Sequence, residues 1–270
     1  MLKDITLGQF FPGNTIVHRL DPRVKMALLI VFITALLTAN HPLTYGLVLL
    51  YLALSVVVSN IKLGALVRGL RPMLFIILFT AVLNIFYTPG EALVTFWIFK
   101  ISAEGIERAV FMILRLMMLV SATFLLTYTT SPLALSDALA RLLSPLAKIK
   151  VPVHEFAMMM TIAMRFIPTI IEETDKIMNA QKARGADFET GNLFRRAKAL
   201  IPLLVPLFIS AFRRADELAV AMECRCYTGG EGRTRMNQLS LTARDVWTLA
   251  LSTAFLTGIT VWGRFGWLLP

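Results

Sequence analysis

An all-α integral membrane protein is the fold class this sequence predicts, and three observations predict it. Of 270 residues 57% are hydrophobic, with a mean hydropathy of +0.70, whereas soluble domains hold about 45–50% apolar residues. Apolar runs of membrane-crossing length recur, separated by short polar turns. The 27 Lys and Arg residues fall almost wholly on one set of alternating loops.

The elements follow in order. A bilayer core takes about 20 mostly apolar helical residues, with a range of about 17–25. Residues 24–39 form a short first span, ended by the turn "NHP" at 40–42. Residues 43–61 form a second. The loop "KLGALVRGLR" leads through Pro72, well placed at a helix start, into a third at 72–88. Residues 89–108 are mixed, and "LVTFWIFKI" is too short to cross, so it is predicted to lie at the interface. A fourth span runs from 109 to 130 and a fifth from 245 to 263. About five transmembrane helices result, with domains at 1–130, 131–243 and 244–270.

The middle block differs in texture. Residues 131–243 hold 15 Lys and Arg and 11 Asp and Glu, yet apolar residues recur at helical spacing. "SPLALSDALARLLSPLAKIK" reads as an amphipathic helix stopped near Pro145. The segment from Glu155 to Gly185 reads as a long helix, apolar first and charged later, kinked at Pro168. "LIPLLVPLFISAFRRADELAVAMECRC" repeats that plan, and its apolar part, 200–212, is short enough to be predicted buried rather than spanning. Two or three long amphipathic helices thus make a separate interfacial domain.

Charge orients the chain. Residues 1–25, 60–72 and 131–244 carry 23 of the Lys and Arg residues, leaving Lys100, Arg108 and Arg264 opposite and Arg115 within a span. By the positive-inside rule the amino terminus and the 131–243 block face the cytosol. The net charge of +10 is then topological, and a nucleic-acid partner is excluded. No cleavable signal peptide is read in the polar first 25 residues. Two cysteines one residue apart build no disulfide framework and suit a reduced compartment. With His18, His41 and His154 scattered, no metal-ligand spacing is present. No phosphate loop is present either, since "GGEGRT" lacks the lysine and the spacing. No catalytic residue is assigned.

The informative motif is an internal repeat. A shift of 41 positions superimposes Asp175, Ala180 and Arg184 on Asp216, Ala221 and Arg225. Ala183 and Gly185 flank the first arginine, and Cys224 and Cys226 the second. A small residue one turn before each arginine shares its helix face and lets another backbone approach. The guanidinium fork reaches carboxylates and carbonyls together. Gly185 at the first end and "YTGG" at 227–230 at the second supply the helix stops. A cation at a helix end also favours the dipole by about 0.3–1 kcal/mol. A matched pair favours the docking reading: two equivalent plugs for a dimeric or pseudo-dimeric cytosolic partner.

Other polar residues are assigned more modest roles. Arg115 is either part of a pathway or helix clamp, or snorkels to the outer interface beside Arg108. Asn84 is predicted to make an interhelical hydrogen bond. Glu172, Glu173 and Asp175 are predicted to form a solvated face or to pair with Lys176 and Lys182. The cluster Met158, Met159, Met160, with Phe166 and Pro168, suits an adaptable surface for several partners, with ordinary core packing as the alternative.

Four stretches carry a family resemblance: "GQFFPGNTIVHRLDPRVKM", "TTSPLALSDAL", "MRFIPTIIEETDKIMNAQKARGADF" and "AMECRCY". Over nearly its full length the chain resembles the transmembrane T component of energy-coupling factor transporters. That family carries a pair of Ala-Arg-Gly-like tripeptides. Here Ala183-Arg184-Gly185 matches, and cysteines replace the small residues around Arg225. The resemblance implies a non-catalytic coupling subunit in the cell membrane. It implies two ATP-binding cassette partners, as a heterodimer, that hold the ATP and Mg, so that this chain binds no cofactor. It also implies a membrane-embedded substrate-binding S component that takes up a vitamin, seated on the apolar faces of 132–147, 153–171 and 200–212.

Overall fold

The computed structural model describes residues 10–39, 41–88, 92–96, 99–150, 152–186, 188, 192–229 and 240–265. Their helices are α1 (Ile16–Arg19), α2 (Pro22–Thr38), α3 (Pro42–Ser59), α4 (Leu63–Leu70), α5 (Leu74–Tyr87), α6 (Ala103–Thr129), α7 (Pro132–Leu142), α8 (Val153–Ala183), α9 (Leu193–Cys224) and α10 (Ala243–Phe265). Between α5 and α6, strands β1 (Ala92–Phe96) and β2 (Phe99–Ser102) pair antiparallel, Phe96 opposite Phe99. The chain is all-α apart from this hairpin, which occupies the segment predicted to lie at the interface.

Local chemistry starts the helices where they start. Pro22, Pro42 and Pro132 each open a helix, where the missing N–H is no loss. Asp21 accepts the Arg23 amide at 2.9 Å, and the Ser102 hydroxyl accepts the Gly105 amide at 3.0 Å, each satisfying an orphan donor.

Among the described residues, four helical runs are long and apolar enough to cross a membrane: 42–59, 63–86, 103–129 and 243–263. The third predicted span differs most from expectation. The "KLGALVRGLR" loop is helical: Leu66 and Leu70 bury one face of α4, and a 3-10 turn at 71–73 joins it to α5. Pro72 sits inside that turn. The short first span is α2. Its 17 residues extend only about 25 Å, less than a hydrocarbon core of about 30 Å.

The described residues form two compact units, one made of residues 10–138 with 240–265, the other of residues within 139–229. In the first, Phe32, Leu36, Tyr45, Val48, Met118 and Leu256 build the core. Close helix approach is set at Gly105, where an added Cβ would lie 3.0 Å from the Ile85 carbonyl oxygen. Outward, Phe75, Leu78, Leu54, Leu251 and Val261 stand exposed, as a lipid-facing surface requires.

A buried polar cluster closes one end of this unit. Lys25 on α2 donates to the Thr129 carbonyl at 2.9 Å, the Thr130 hydroxyl at 3.2 Å and the His18 carbonyl at 3.3 Å. Asp245 on α10 accepts from the Asp21 amide at 3.1 Å and the Thr242 amide at 2.9 Å. Lys25, Asp21 and Asp245 are all buried. The segment before α1 is pinned nearby, the Phe11 amide donating to the Tyr128 carbonyl at 3.0 Å.

In the second unit, α8 and α9 are 31 and 32 residues long. α8 runs on through Pro168, and α9 through Pro202 and Pro206. Residues 200–212 depart from expectation. Leu203 is buried, but Leu200, Leu204, Phe208 and Phe212, spaced one turn apart, are exposed, as are Ile201, Val205 and Ile209. The reason is rotational. Pro202, Ser210 and Arg214 face α8, which leaves the adjoining apolar stripe uncovered.

Candidate functional site: two capped arginines on crossed helices

Both helices of the second unit end in the same device. Arg184 is the C-cap of α8. Beyond it the Gly185 amide donates to the Lys182 carbonyl at 3.0 Å and the Ala186 amide to the Gln181 carbonyl at 3.0 Å. Arg225 caps α9, and there the Cys226 amide donates to the Glu223 carbonyl at 2.8 Å and the Tyr227 amide to the Met222 carbonyl at 3.0 Å. Each is a Schellman cap, which needs a left-handed residue just after the cap position. Gly185 has φ +86° and Cys226 has φ +55°. The helix stop therefore falls on Cys226 itself rather than on the "YTGG" stretch. The reason is that the reversal must come one residue after the arginine. A non-glycine residue there costs about 1–2 kcal/mol.

The caps leave both guanidiniums in the open. Arg184 and Arg225 are exposed, as are Ala180, Ala183, Gly185, Ala221, Cys224 and Cys226. An added Cβ at Gly185 would meet nothing within 4 Å. Among the described residues neither guanidinium has an ion-pair or hydrogen-bond partner. Asp175 is half-buried and Asp216 exposed. Met159 is exposed, Met158, Met160 and Phe166 are half-buried, and Pro168 is exposed. The methionines thus border an open surface without forming a closed core.

The two helices are joined at a clasp. Glu173 on α8 receives a 2.7 Å bond from the Arg214 guanidinium on α9 and a second bond from the Ser210 hydroxyl. Both partners are on α9, whereas the sequence predicted a solvated face or pairing with Lys176 or Lys182 of its own helix. Further along, the Gln181 side-chain amide donates to the Pro202 carbonyl at 3.4 Å. Pro206 has no N–H with which to occupy that carbonyl. As the α8 partner advances from 173 to 181, the α9 partner falls from 214 to 202, so the helices cross in opposite senses.

Glu173 and Arg214 are themselves 41 residues apart. They hold equivalent places in the repeat and meet at its centre, as residues near a two-fold axis do. Each capping arginine stands eleven residues beyond its clasp residue, a separation of about 16 Å at 1.5 Å per residue. The arms are equal and point apart. Shifting the sequence by 41 pairs an acid with a base at this position, a signal that sequence reasoning left unused.

The Ser210 hydroxyl, aided by the Arg214 cation, holds the Glu173 carboxyl below its ordinary value. A depressed carboxylate pKa stabilises the folded state above the unfolded value, and the gain is lost as pH falls through the folded value. We therefore expect Glu173→Arg to lower the unfolding midpoint in detergent, acid pH to weaken the clasp in the wild type, and Glu173→Arg with Arg214→Glu to restore most of the loss. Thermal unfolding of the two variants checks this. No restoration by the exchanged pair would mean that the contact does not hold the two helices together.

In the first unit, Arg115 acts as a clamp. Its guanidinium donates to the Ala39 carbonyl at 3.1 Å and to the Tyr45 hydroxyl, with its carbon 5.6 Å from the Tyr45 ring centre. Asn84 differs from expectation: its amide donates to Thr80 of its own helix at 2.8 Å. One turn of separation suffices for that bond, so the helix partner is local.

Comparison with known proteins places the chain. Residues 13–236 match the family described as CbiQ, cobalt transport protein. The energy-coupling factor transporter transmembrane protein EcfT of Ruminiclostridium cellulolyticum is 51% identical over 259 residues, covering 96% of this chain and 97% of that protein. The protein of the same name from Clostridium kluyveri is 51% identical over 269 residues, 99% of each chain. That of Lactococcus lactis is 46% identical over 245 residues, 90% of this chain and 92% of that protein. With four helices of membrane-crossing length, the chain is a multi-pass membrane protein, and it belongs to the family of energy-coupling factor transporter transmembrane components.

Proposed function

We propose that this chain converts the movement of two ATP-binding cassette subunits into movement of a substrate-binding S component within the bilayer. The observation that carries the reading is the matched pair of capped arginines. Arg184 and Arg225 stand on identical caps, on equal arms, at the ends of helices joined at one clasp. Each guanidinium enters a groove on one ATPase subunit, and the small flanking residues Ala183, Gly185, Cys224 and Cys226 admit the groove walls. Asp175, Ala180, Asp216 and Ala221 complete the docking faces. The ATPase pair is a heterodimer, consistent with the unequal flanks, glycine on one side and cysteine on the other.

The apolar stripes of α8 and α9 form the platform for the S component. Phe156, Met159 and Ile170 on α8 and Leu204, Phe208 and Phe212 on α9 are exposed. Exposed apolar side chains recurring along a helix suit an interaction surface, and methionine suits a surface shared by several partners. When the ATPases close, the two arms shift about the clasp and the platform tilts its occupant, releasing a vitamin or other micronutrient inward. The interfacial domain and the amino terminus lie on the cytosolic side, in the cell membrane, as the basic loops require. ATP and Mg are bound by the partner subunits, and this chain catalyses no step and holds no cofactor.

Affinity isolation of the tagged chain from native membranes tests the proposal. ATP-binding cassette subunits and a small membrane protein should co-purify in fixed proportion. Isolation of the chain alone, with transport intact, would overturn it.

A further inference from the structure

A cavity of about 590 Å³ lies in the first unit, between α5, α6 and the α2–α3 corner. Its charges are its distinguishing feature. Glu104, Glu107, Arg108 and Arg115 all line it, two acids and two guanidiniums from one helix. Glu104, Arg108 and Arg115 recur at spacings of four and seven, on one face of α6. No ion pair within 4.0 Å forms among these four, although opposite charges so placed ordinarily pair. Arg115 is anchored on one side by Ala39 and Tyr45, and its Nε is buried with no hydrogen-bond partner. A buried unsatisfied donor costs about 1–3 kcal/mol. The site is thus neutral overall, separated in charge and short of acceptors.

A ligand complementary to it carries both signs, an oxyanion for the guanidiniums and an ammonium for the carboxylates. Guanidinium forks match phosphate oxygens in particular. Phe111 and Met112 give the cavity an apolar wall, against which acyl chains would lie. We propose that the cavity seats the headgroup of a zwitterionic aminophospholipid, its phosphate on Arg108 and Arg115 and its ammonium on Glu104 and Glu107. The leaflet is the outer one, a clause that rests on the orientation proposed above; the binding itself does not.

The test is thermal unfolding of the full chain in neutral detergent, titrated separately with dioctanoyl phosphatidylethanolamine, dioctanoyl phosphatidylglycerol, free O-phosphoethanolamine and inorganic phosphate. Saturating phosphatidylethanolamine should raise the midpoint by about 5 °C, and phosphatidylglycerol by clearly less. Glu104 and Glu107 are exposed, so Glu104→Gln with Glu107→Gln should fold normally, which its lipid-free midpoint checks. That variant should lose the preference between the two lipids, and Arg108→Gln should respond less to both. Equal shifts from the two lipids in the wild type, or an undiminished preference in the double variant, would overturn the proposal. A full shift from free O-phosphoethanolamine or from inorganic phosphate would overturn the lipid assignment. None of these outcomes depends on ATPase subunits, so failure here leaves the coupling proposal standing.

Discussion

Replacing Arg184 and Arg225 together by Glu should reduce substrate uptake to background while leaving the amount of chain in the membrane unchanged. The two halves of that expectation have separate causes. Neither guanidinium has a partner among the described residues, and both are exposed, so the fold loses no contact when they change. An arginine buried in a partner's pocket, by contrast, commonly contributes about 2 kcal/mol or more to binding. Two such losses come to about 4 kcal/mol, close to 1,000-fold in an assembly constant. An anion in a socket built for a cation adds repulsion. Either single variant should retain part of the activity, because the remaining arm still docks. Uptake and membrane abundance measured on the same cells check both halves.

The second large effect concerns the scaffold. Lys25→Met should destabilise the first unit by about 3–5 kcal/mol, the range seen when one partner of a buried charged cluster is removed. All three Nζ donors of Lys25 are in use, on α1, on the end of α6 and on the Thr130 hydroxyl. Methionine matches the length of the stem but donates nothing. Three acceptors are then left unsatisfied, and the favourable charge interaction of Lys25 with Asp21 and Asp245 is lost, which leaves Asp21 the Arg23 guanidinium at 3.7 Å. The expected signature is a lower unfolding midpoint in detergent and loss of chain from the membrane. The charge reversal at Arg184 and Arg225 should lower the midpoint far less, only by the lost helix-dipole contribution at two exposed ends, and should leave the chain in the membrane.

How much of this was legible in the residues depends on the kind of interaction. The apolar spans at 43–61, 109–130 and 245–263 were readable because hydropathy over about 20 residues is a local property. So was the repeated pair of arginines at helix ends, because its repeat lies in the chain itself. The helix in "KLGALVRGLR" was hidden by its arginines and glycines, which suggest a loop until Leu66 and Leu70 find a buried surface. The exposure of 200–212 was not readable, since a short apolar run gives no sign of which face a neighbour will cover. The Lys25 cluster draws on residues 104 and 105 positions away, a separation at which no spacing rule operates. The Glu173–Arg214 clasp lay between these cases, visible only when the repeat is read for contacts as well as for likeness.

The central claim, that exposed paired arginines are seated in nucleotide-driven subunits, has a reporter already in place. The chain holds two cysteines, Cys224 and Cys226, both free and exposed on either side of Arg225. The decisive measurement is their rate of labelling by a membrane-impermeant maleimide in inside-out vesicles, with and without the ATP-binding cassette subunits. Labelling should be rapid for the chain alone and strongly slowed in the assembled transporter. Equal rates in the two preparations, with the complex shown to be intact, would contradict the account.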